Sequence, residues 1–288
     1  MEYLIEFSYL DTQKLILLEK INDLFGEDYD ISLINKALNI AEKGHEGQKR
    51  KSGEEYISHP IRVAIKLVNI LGSKIEKELL REIIVVSLLH DIIEDSFFDQ
   101  DEIERSFGSI VAISVGLLSK NFWFDYVGNY EDYEKIIYLK KLGFVDDELN
   151  LTLKAKEIKK SDDLKCKNLI NDFEENKNIC KKRRNEDYFY KLQLLEEGRY
   201  EELEMGNLNK RQKDYVRNIV LPVKGIDRLD NLETMSGVEA KSIVTKVKET
   251  IDKIIPTLSD WPPVVDELRK NINSIVNHRL IYLERPGE

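Results

Sequence analysis

Neither glycine nor proline interrupts the chain between Gly72 and Gly108, and "SKIEKELLREIIVVSLLHDIIED" within it is apolar on almost every side. "IIVVSLL" is rich in β-branched residues and would suit a strand on propensity alone, but so long an uninterrupted segment fits a helix better. Such a helix, apolar nearly all round, belongs at the centre of a core. Ser73 and Glu76 have the spacing of a capping box at its start, and the polar pair His90–Asp91 sits at its C-terminal end. Upstream, "INKALNIAEKGH" places Ile34, Ala37, Leu38 and Ala41 on one helical face. A loop with Gly47 and Gly53 follows. His59 then directly precedes Pro60, and proline favours the first helical position, so "PIRVAIKLVNILG" reads as a helix ending at Gly72. "DEIERSFGSIVAISVGLLSK" reads as a short helix, a break near Gly108 and a second helix ending near Lys120.

From Phe122 to Tyr215 the pattern weakens and charge rises, with Lys, Glu, Asn and Tyr abundant. This segment is expected to be a solvated, largely helical insertion, with a lid or a partner-binding element as its functional alternative. Core-like patterning returns in "VRNIVLPVKGIDRLDNLETM" and "AKSIVTKVKETIDKIIPTL", and a last helix follows Pro262 and Pro263. The expected architecture is all-α, with residues 1–121 and 216–288 forming one helical bundle interrupted by an insertion at 122–215. Only 6 prolines and 14 glycines in the whole chain agree with that class.

The 288 residues are 42% hydrophobic and 34% charged, which suits a soluble globular protein able to bury a core. No stretch has the length of apolar sequence that a membrane span needs. "MEYLIEFSYLDTQK" lacks a basic region followed by a small-residue cleavage site, so no signal peptide is expected. Cys166 and Cys180, isolated in the charged segment, fit a reducing compartment, and the cytoplasm is the expected location. A net charge of −10 argues against an extended nucleic-acid surface. A small phosphorylated ligand needs only a local basic cluster, which "QKRKSG" (Gln48–Gly53) supplies.

Candidate chemistry converges on a few positions. His90 and Asp91 are adjacent, and Glu94 and Asp95 follow each of them by four residues, hence one turn on along a helix. His59 sits at a helix start. In "KGIDRLDNL", Ile226, Leu229 and Leu232 form an apolar stripe, while Asp227 and Asn231 share another side. Each piece has an ordinary explanation: a buried His–Asp pair, a helix-start histidine, or an aspartate paired with Lys224 or Arg228. Together they give the order His … His-Asp … Asp, a donor set of imidazole and carboxylate that suits a metal such as Mn²⁺.

That order resembles the ligand order of HD-domain metal-dependent phosphohydrolases. "KGHEGQKRKSGEEYISHP", "SLLHDIIEDS", "SFGSIVAISVGLLSK" and "VKGIDRLDNLETM" resemble, in sequence, the motifs of the hydrolase domain of RelA/SpoT homologues, over about residues 30–120 and 216–260. The resemblance implies hydrolysis of the alarmones ppGpp and pppGpp to GDP or GTP and pyrophosphate. It implies one Mn²⁺ held by His59, His90, Asp91 and Asp227, activating a water for attack at the 3′-pyrophosphate. Glu94 and Asp95 would orient or deprotonate that water. Arg50 and Lys51 would contact phosphates, or Arg50 the base, with Ser52, Tyr56, Lys120 and Asn231 as further substrate contacts. His45 is read as bracing the loop, and His278 as lying outside the site. The length implies a stand-alone small alarmone hydrolase of the stringent response, with a small nucleotide as substrate, no membrane, and a protein partner as a role for 122–215.

The match departs from the family at Glu55, where proline is usual; at Ser96, where threonine is usual; and at Asp230, often histidine, with a mild expected effect. The long interval between Lys120 and Asp227 bears on substrate identity more than on metal chemistry. Two alternatives follow: a hydrolase of a related nucleotide such as (p)ppApp, neutralising a toxic synthetase, or a non-catalytic alarmone sensor. The retained His59, His90, Asp91, Glu94, Asp95 and Asp227 argue against the sensor.

Overall fold

Helices carry the chain, as the patterning implied. The computed structural model describes residues 8–280 except 51, 121, 122, 129, 147, 148, 162, 236 and 237. Among the described residues there is no β-strand, only the isolated bridges Lys49–Glu55 and Val145–Leu151. The chain divides into two units, Met1–Ser119 with Lys191–Glu288, and Lys120–Tyr190. No helix among the described residues is long and apolar enough to cross a membrane.

The first unit opens with α1 (Tyr9–Phe25), α2 (Ser32–Gly44), α3 (Ser58–Leu71) and α4 (Lys77–Leu89). The one-turn α5 (Ile92–Asp95), α6 (Gln100–Phe107) and α7 (Ser109–Leu118) follow. Helix α4 is the central helix expected: Leu80 and every residue from Ile83 to Leu89 are buried. It packs against α2, α3 and α7. Burying each Leu or Ile contributes about 1.5–3 kcal/mol, which outweighs the β-preference of the branched residues.

Three boundaries differ from expectation, each for a local reason. Helix α4 starts at Lys77, and Ser73 lies outside it; a capping box forms instead at Asp99–Glu102, before α6. Helix α4 also stops at Leu89 and does not run through to Asp95. There the Ser87 hydroxyl donates to the Ile84 carbonyl at 2.8 Å, and His90 Nδ1 lies 2.7 Å from the Ser87 carbonyl. The His90 ring thereby takes the Ser87 carbonyl, which a continuing helix would offer to the Asp91 N–H. Helix α3 starts at Ser58, not Pro60, which places His59 inside its first turn. Pro60 fits there because first-turn N–H groups lack helical partners anyway.

The second unit contains α8 (Tyr130–Lys141), α9 (Leu153–Ile158) and most of α10 (Leu164–Glu197). It has a core of its own, built from Ile136, Leu139, Phe144, Val145, Leu149, Ala155, Ile170, Phe173 and Cys180. The charged segment is therefore not merely a solvated appendage. This unit ends at Tyr190, whereas the insertion was expected to reach Tyr215. Leu192, Leu194, Leu195, Tyr200, Leu203 and Met205 are buried, and the Tyr200 hydroxyl donates to Asp214 at 2.5 Å within the first unit. The charges between these apolar residues hid that packing from a reading of periodicity.

The chain then forms α11 (Lys210–Glu233), α12 (Ala240–Glu249) and α13 (Pro262–Ile275). Helix α11 packs against α3, α4, α7 and α13 and is buried on all sides from Ile219 to Asp230. Asp227 thus shares the interior with Ile226 and Leu229; it does not lie on a polar outer face. Gly225 makes the approach to α13 possible, because a Cβ there would fall 2.5 Å from Val264 Cγ1 and 2.9 Å from Leu258 Cδ1. Val264 is buried, and its β-branched side chain has little rotamer freedom. Gly225→Ala is expected to destabilise the protein by roughly 1–2 kcal/mol, since overpacking outweighs the better helix propensity of alanine. Thermal unfolding would reveal it as a lower Tm, and an unchanged or higher Tm would show that the interface yields.

Candidate metal centre

Two polar stripes run through otherwise apolar helices and face each other. On α3 the stripe is His59, Arg62 and Lys66; on α11 it is Lys224, Asp227, Asp230 and Asn231, continued by Thr234 at the helix's C-cap. The turn joining α4 to α5 brings His90 and Asp91 to the same place. Gly44 permits this turn to sit close to α2, since a Cβ on it would run into Ile92 and Ser96.

His59, His90 and Asp91 each offer a ligand atom, and these atoms all lie within 4.8 Å of one another. Asp91 Oδ2 lies 3.1 Å from His90 Nε2 and 3.7 Å from His59 Nε2. Asp227 Oδ1 joins them from α11, 3.2 Å from His59 Nε2 and 3.7 Å from His90 Nε2. Both imidazoles are held from behind. Nδ1 of His90 donates to the Ser87 carbonyl at 2.7 Å, and Nδ1 of His59 donates to Asp230 Oδ2 at 2.7 Å. That leaves both Nε2 atoms aimed at the two carboxylates in the neutral form of the rings. His90 Nε2 is buried without a hydrogen-bond partner. A buried, unsatisfied nitrogen between carboxylates calls for a cation, and two imidazoles with two carboxylates are a donor set that divalent transition metals accept. The residues present therefore fit a metal ion.

The electrostatics agree. Burial would lower the His90 pKa, but the negative charges of Asp91 and Asp227 beside the ring outweigh it and raise it well above its ordinary value. Burial would raise Asp91, yet the neighbouring His90 and His59 hold it below the usual carboxylate range. Burial acts likewise on Asp227, where the Lys224 ammonium, 2.8 Å from Oδ2, and the two histidines bring it well below that range. The carboxylates are thus anionic, and a cation held by His90 would compete with its proton.

Around this centre, the Tyr56 hydroxyl bridges Asp91 Oδ2 at 2.8 Å and Asp95 Oδ2 at 2.7 Å. Burial and then the Asp91 charge push the Asp95 pKa up to about 6, against the lowering effect of Tyr56. Glu94 and Asp95 both lie on the exposed side of α5, with the Asp95 carboxyl turned to Tyr56. Arg50 reaches α11, donating from Nη2 to Asn231 Oδ1 at 2.9 Å and to the Thr234 hydroxyl at 3.3 Å. Asn231 in turn donates to Asp227 Oδ1 at 2.5 Å, so Asn231 does meet Asp227 one turn away. His45 braces the loop: its Nδ1 lies 2.9 Å from Gln48 Oε1, and its ring stacks on Tyr56 at 4.7 Å between centroids.

The remaining expected contacts are more scattered. Ser52 lies exposed in the basic loop. Lys51 is outside the described residues. Lys120 belongs to the second unit, where its ammonium lies 5.4 Å from the centre of the Tyr188 ring. Tyr56, expected to touch substrate, spends its hydroxyl on Asp91 and Asp95. His278 is exposed. The sequence reading missed Glu54, Arg62 and Lys66 and gave Asp230 only a mild role. Asp230 is fully buried. The signal was the i, i+3, i+7 spacing of His59, Arg62 and Lys66 in an apolar helix.

Residues 37–119 match the family model of the HD domain. That segment includes Arg50, Tyr56, His59, His90, Asp91, Glu94 and Asp95 and ends before Asp227. A GTP pyrophosphokinase of Myxococcus xanthus is 43% identical over 96 residues, 33% of this chain and 12% of that protein. A guanosine-3′,5′-bis(diphosphate) 3′-pyrophosphohydrolase of Borreliella burgdorferi is 33% identical over 105 residues, 36% of this chain and 15% of that protein. The bifunctional (p)ppGpp synthase/hydrolase SpoT of Escherichia coli K12 is 37% identical over 109 residues, 37% of this chain and 14% of that protein. The alignments thus span 12 to 15% of the length of these relatives.

Proposed function

We propose that this HD-domain chain, a homologue of the RelA/SpoT-type alarmone enzymes, is a Mn²⁺-dependent hydrolase that cleaves (p)ppGpp at the ribose 3′ position to GDP or GTP and pyrophosphate. The observation that carries the reading is the pair of Nδ1-anchored imidazoles whose Nε2 atoms face Asp91 and Asp227. A divalent cation held by His59, His90, Asp91 and Asp227 would supply Lewis acidity, acidifying a water and offsetting charge that develops on the phosphate oxygens.

The protein's own groups do the rest. Asp95, raised to about 6 and tethered through Tyr56 to Asp91, is the general base for the attacking water. Glu94, on the same turn, orients that water. Arg50, tied down by Asn231 and Thr234, presents a rigid guanidinium beside the centre for a phosphate or the base.

The test is release of pyrophosphate from ppGpp, pppGpp and their adenosine counterparts by purified protein, with Mn²⁺ and with a chelator. Metal-dependent cleavage of a guanosine alarmone is expected. Cleavage of the adenosine counterparts alone would move the substrate assignment and keep the chemistry. Tight nucleotide binding with no turnover would overturn the enzyme reading in favour of a sensor.

A further inference from the structure

Asp230 lies on the Nδ1 side of His59, whose Nε2 faces Asp91 and Asp227, and it accepts four hydrogen bonds. Its side chain has no solvent exposure. Oδ2 accepts from His59 Nδ1 at 2.7 Å and from Arg62 Nη2 at 3.0 Å. Oδ1 accepts from Arg62 Nε at 3.0 Å and Lys66 Nζ at 2.6 Å. Arg62 is itself clamped by Glu54, whose carboxylate takes Nη1 at 2.9 Å and Nη2 at 3.1 Å. The Arg62 fork is thus shared between two carboxylates, which fixes Asp230 in orientation as well as in charge. Each acceptor position of Asp230 is in use, and one of them holds the ring of a candidate ligand.

We propose that Asp230 is the positioning residue of His59. Its carboxylate accepts a hydrogen bond from Nδ1–H and thereby fixes the tautomer and plane of the ring, so that Nε2 points at Asp91 and Asp227; Glu54, Arg62 and Lys66 hold that carboxylate in turn. The inference rests on the metal reading of the centre. Carboxylates behind ligating imidazoles orient the ring and raise its basicity, and losing one weakens metal binding about 10–100-fold. A buried ion-pair hub with no such role would affect folding alone.

Calorimetric titration of the metal-free protein with Mn²⁺, beside thermal unfolding and steady-state kinetics, separates these cases. Asp230→Asn keeps the shape and removes the charge. It is expected to weaken Mn²⁺ binding about 10–100-fold, and to lower kcat at limiting Mn²⁺ with recovery at high Mn²⁺ and little change in KM. Arg62→Gln leaves Asp230 in place but unclamped; it is expected to weaken Mn²⁺ binding by a smaller factor and serves if Asp230→Asn does not fold. A lower Tm with unchanged Mn²⁺ affinity, in Asp230→Asn or, failing its folding, in Arg62→Gln, would overturn the positioning role. If the unmodified protein binds no divalent cation, the metal reading fails first, and the inference with it.

Discussion

Replacing Asp91 with asparagine is expected to reduce (p)ppGpp turnover roughly a thousandfold, about 4 kcal/mol of lost transition-state stabilisation. Asp91 Oδ2 lies near both imidazoles and the Tyr56 hydroxyl. Asparagine fills nearly the same space but brings no charge, so the centre loses an anionic donor while α5 and its packing survive. Its amide can still pair with Tyr56, and the Tm should shift little because the packing beneath the turn is untouched. In the metal-free variant, His90 loses the carboxylate that contributes most to raising its pKa. Its proton should therefore come off at lower pH, which a histidine NMR titration would follow. Pyrophosphate release and Mn²⁺ titration should fall together. Turnover near the unmodified level would remove Asp91 from the centre and with it the proposed chemistry.

Much of the fold was legible from spacing, and part of the site from spacing read together with the family resemblance. The burial of α4 followed from an apolar run too long for a strand, and the face of Ile34, Ala37, Leu38 and Ala41 is buried as its period implied. His59, His90 and Asp91 meet, although the first lies far from the others along the chain. The break at Leu89 was not legible, because it depends on the His90 ring taking over the Ser87 carbonyl, and no propensity encodes that. Asp230 was underestimated for a related reason. Reading Ile226, Leu229 and Leu232 as the buried stripe of α11 implies that the opposite side is solvated, yet a helix enclosed by α3, α4, α7 and α13 has no solvated side there. A buried carboxylate then needs cations from another element, and Arg62 and Lys66 provide them from α3. Departure from a family pattern at one position was visible in the sequence; its counterweight on another helix required the structure.

Of the two carboxylates on α5, Asp95 should matter more for turnover. Asp95→Asn is expected to lower kcat about 10²–10⁴-fold with KM nearly unchanged, the range for loss of a general base. Glu94→Gln should cost less, because on the proposed reading Glu94 orients the water and Asp95 deprotonates it. The pH dependence distinguishes a base from a structural carboxylate. A base works only when ionised, so kcat/KM should fall as pH drops through the Asp95 pKa, near 6 in the metal-free protein. A bound cation would draw that limb lower, since positive charge favours the carboxylate. Asp95→Asn should abolish the limb altogether. Tyr56→Phe offers the opposite displacement: the Tyr56 hydrogen bond lowers the Asp95 pKa, so its removal should carry the limb to higher pH without eliminating it. A limb that persists in Asp95→Asn and stays fixed in Tyr56→Phe would assign it to another group, and Glu94 would become the candidate base.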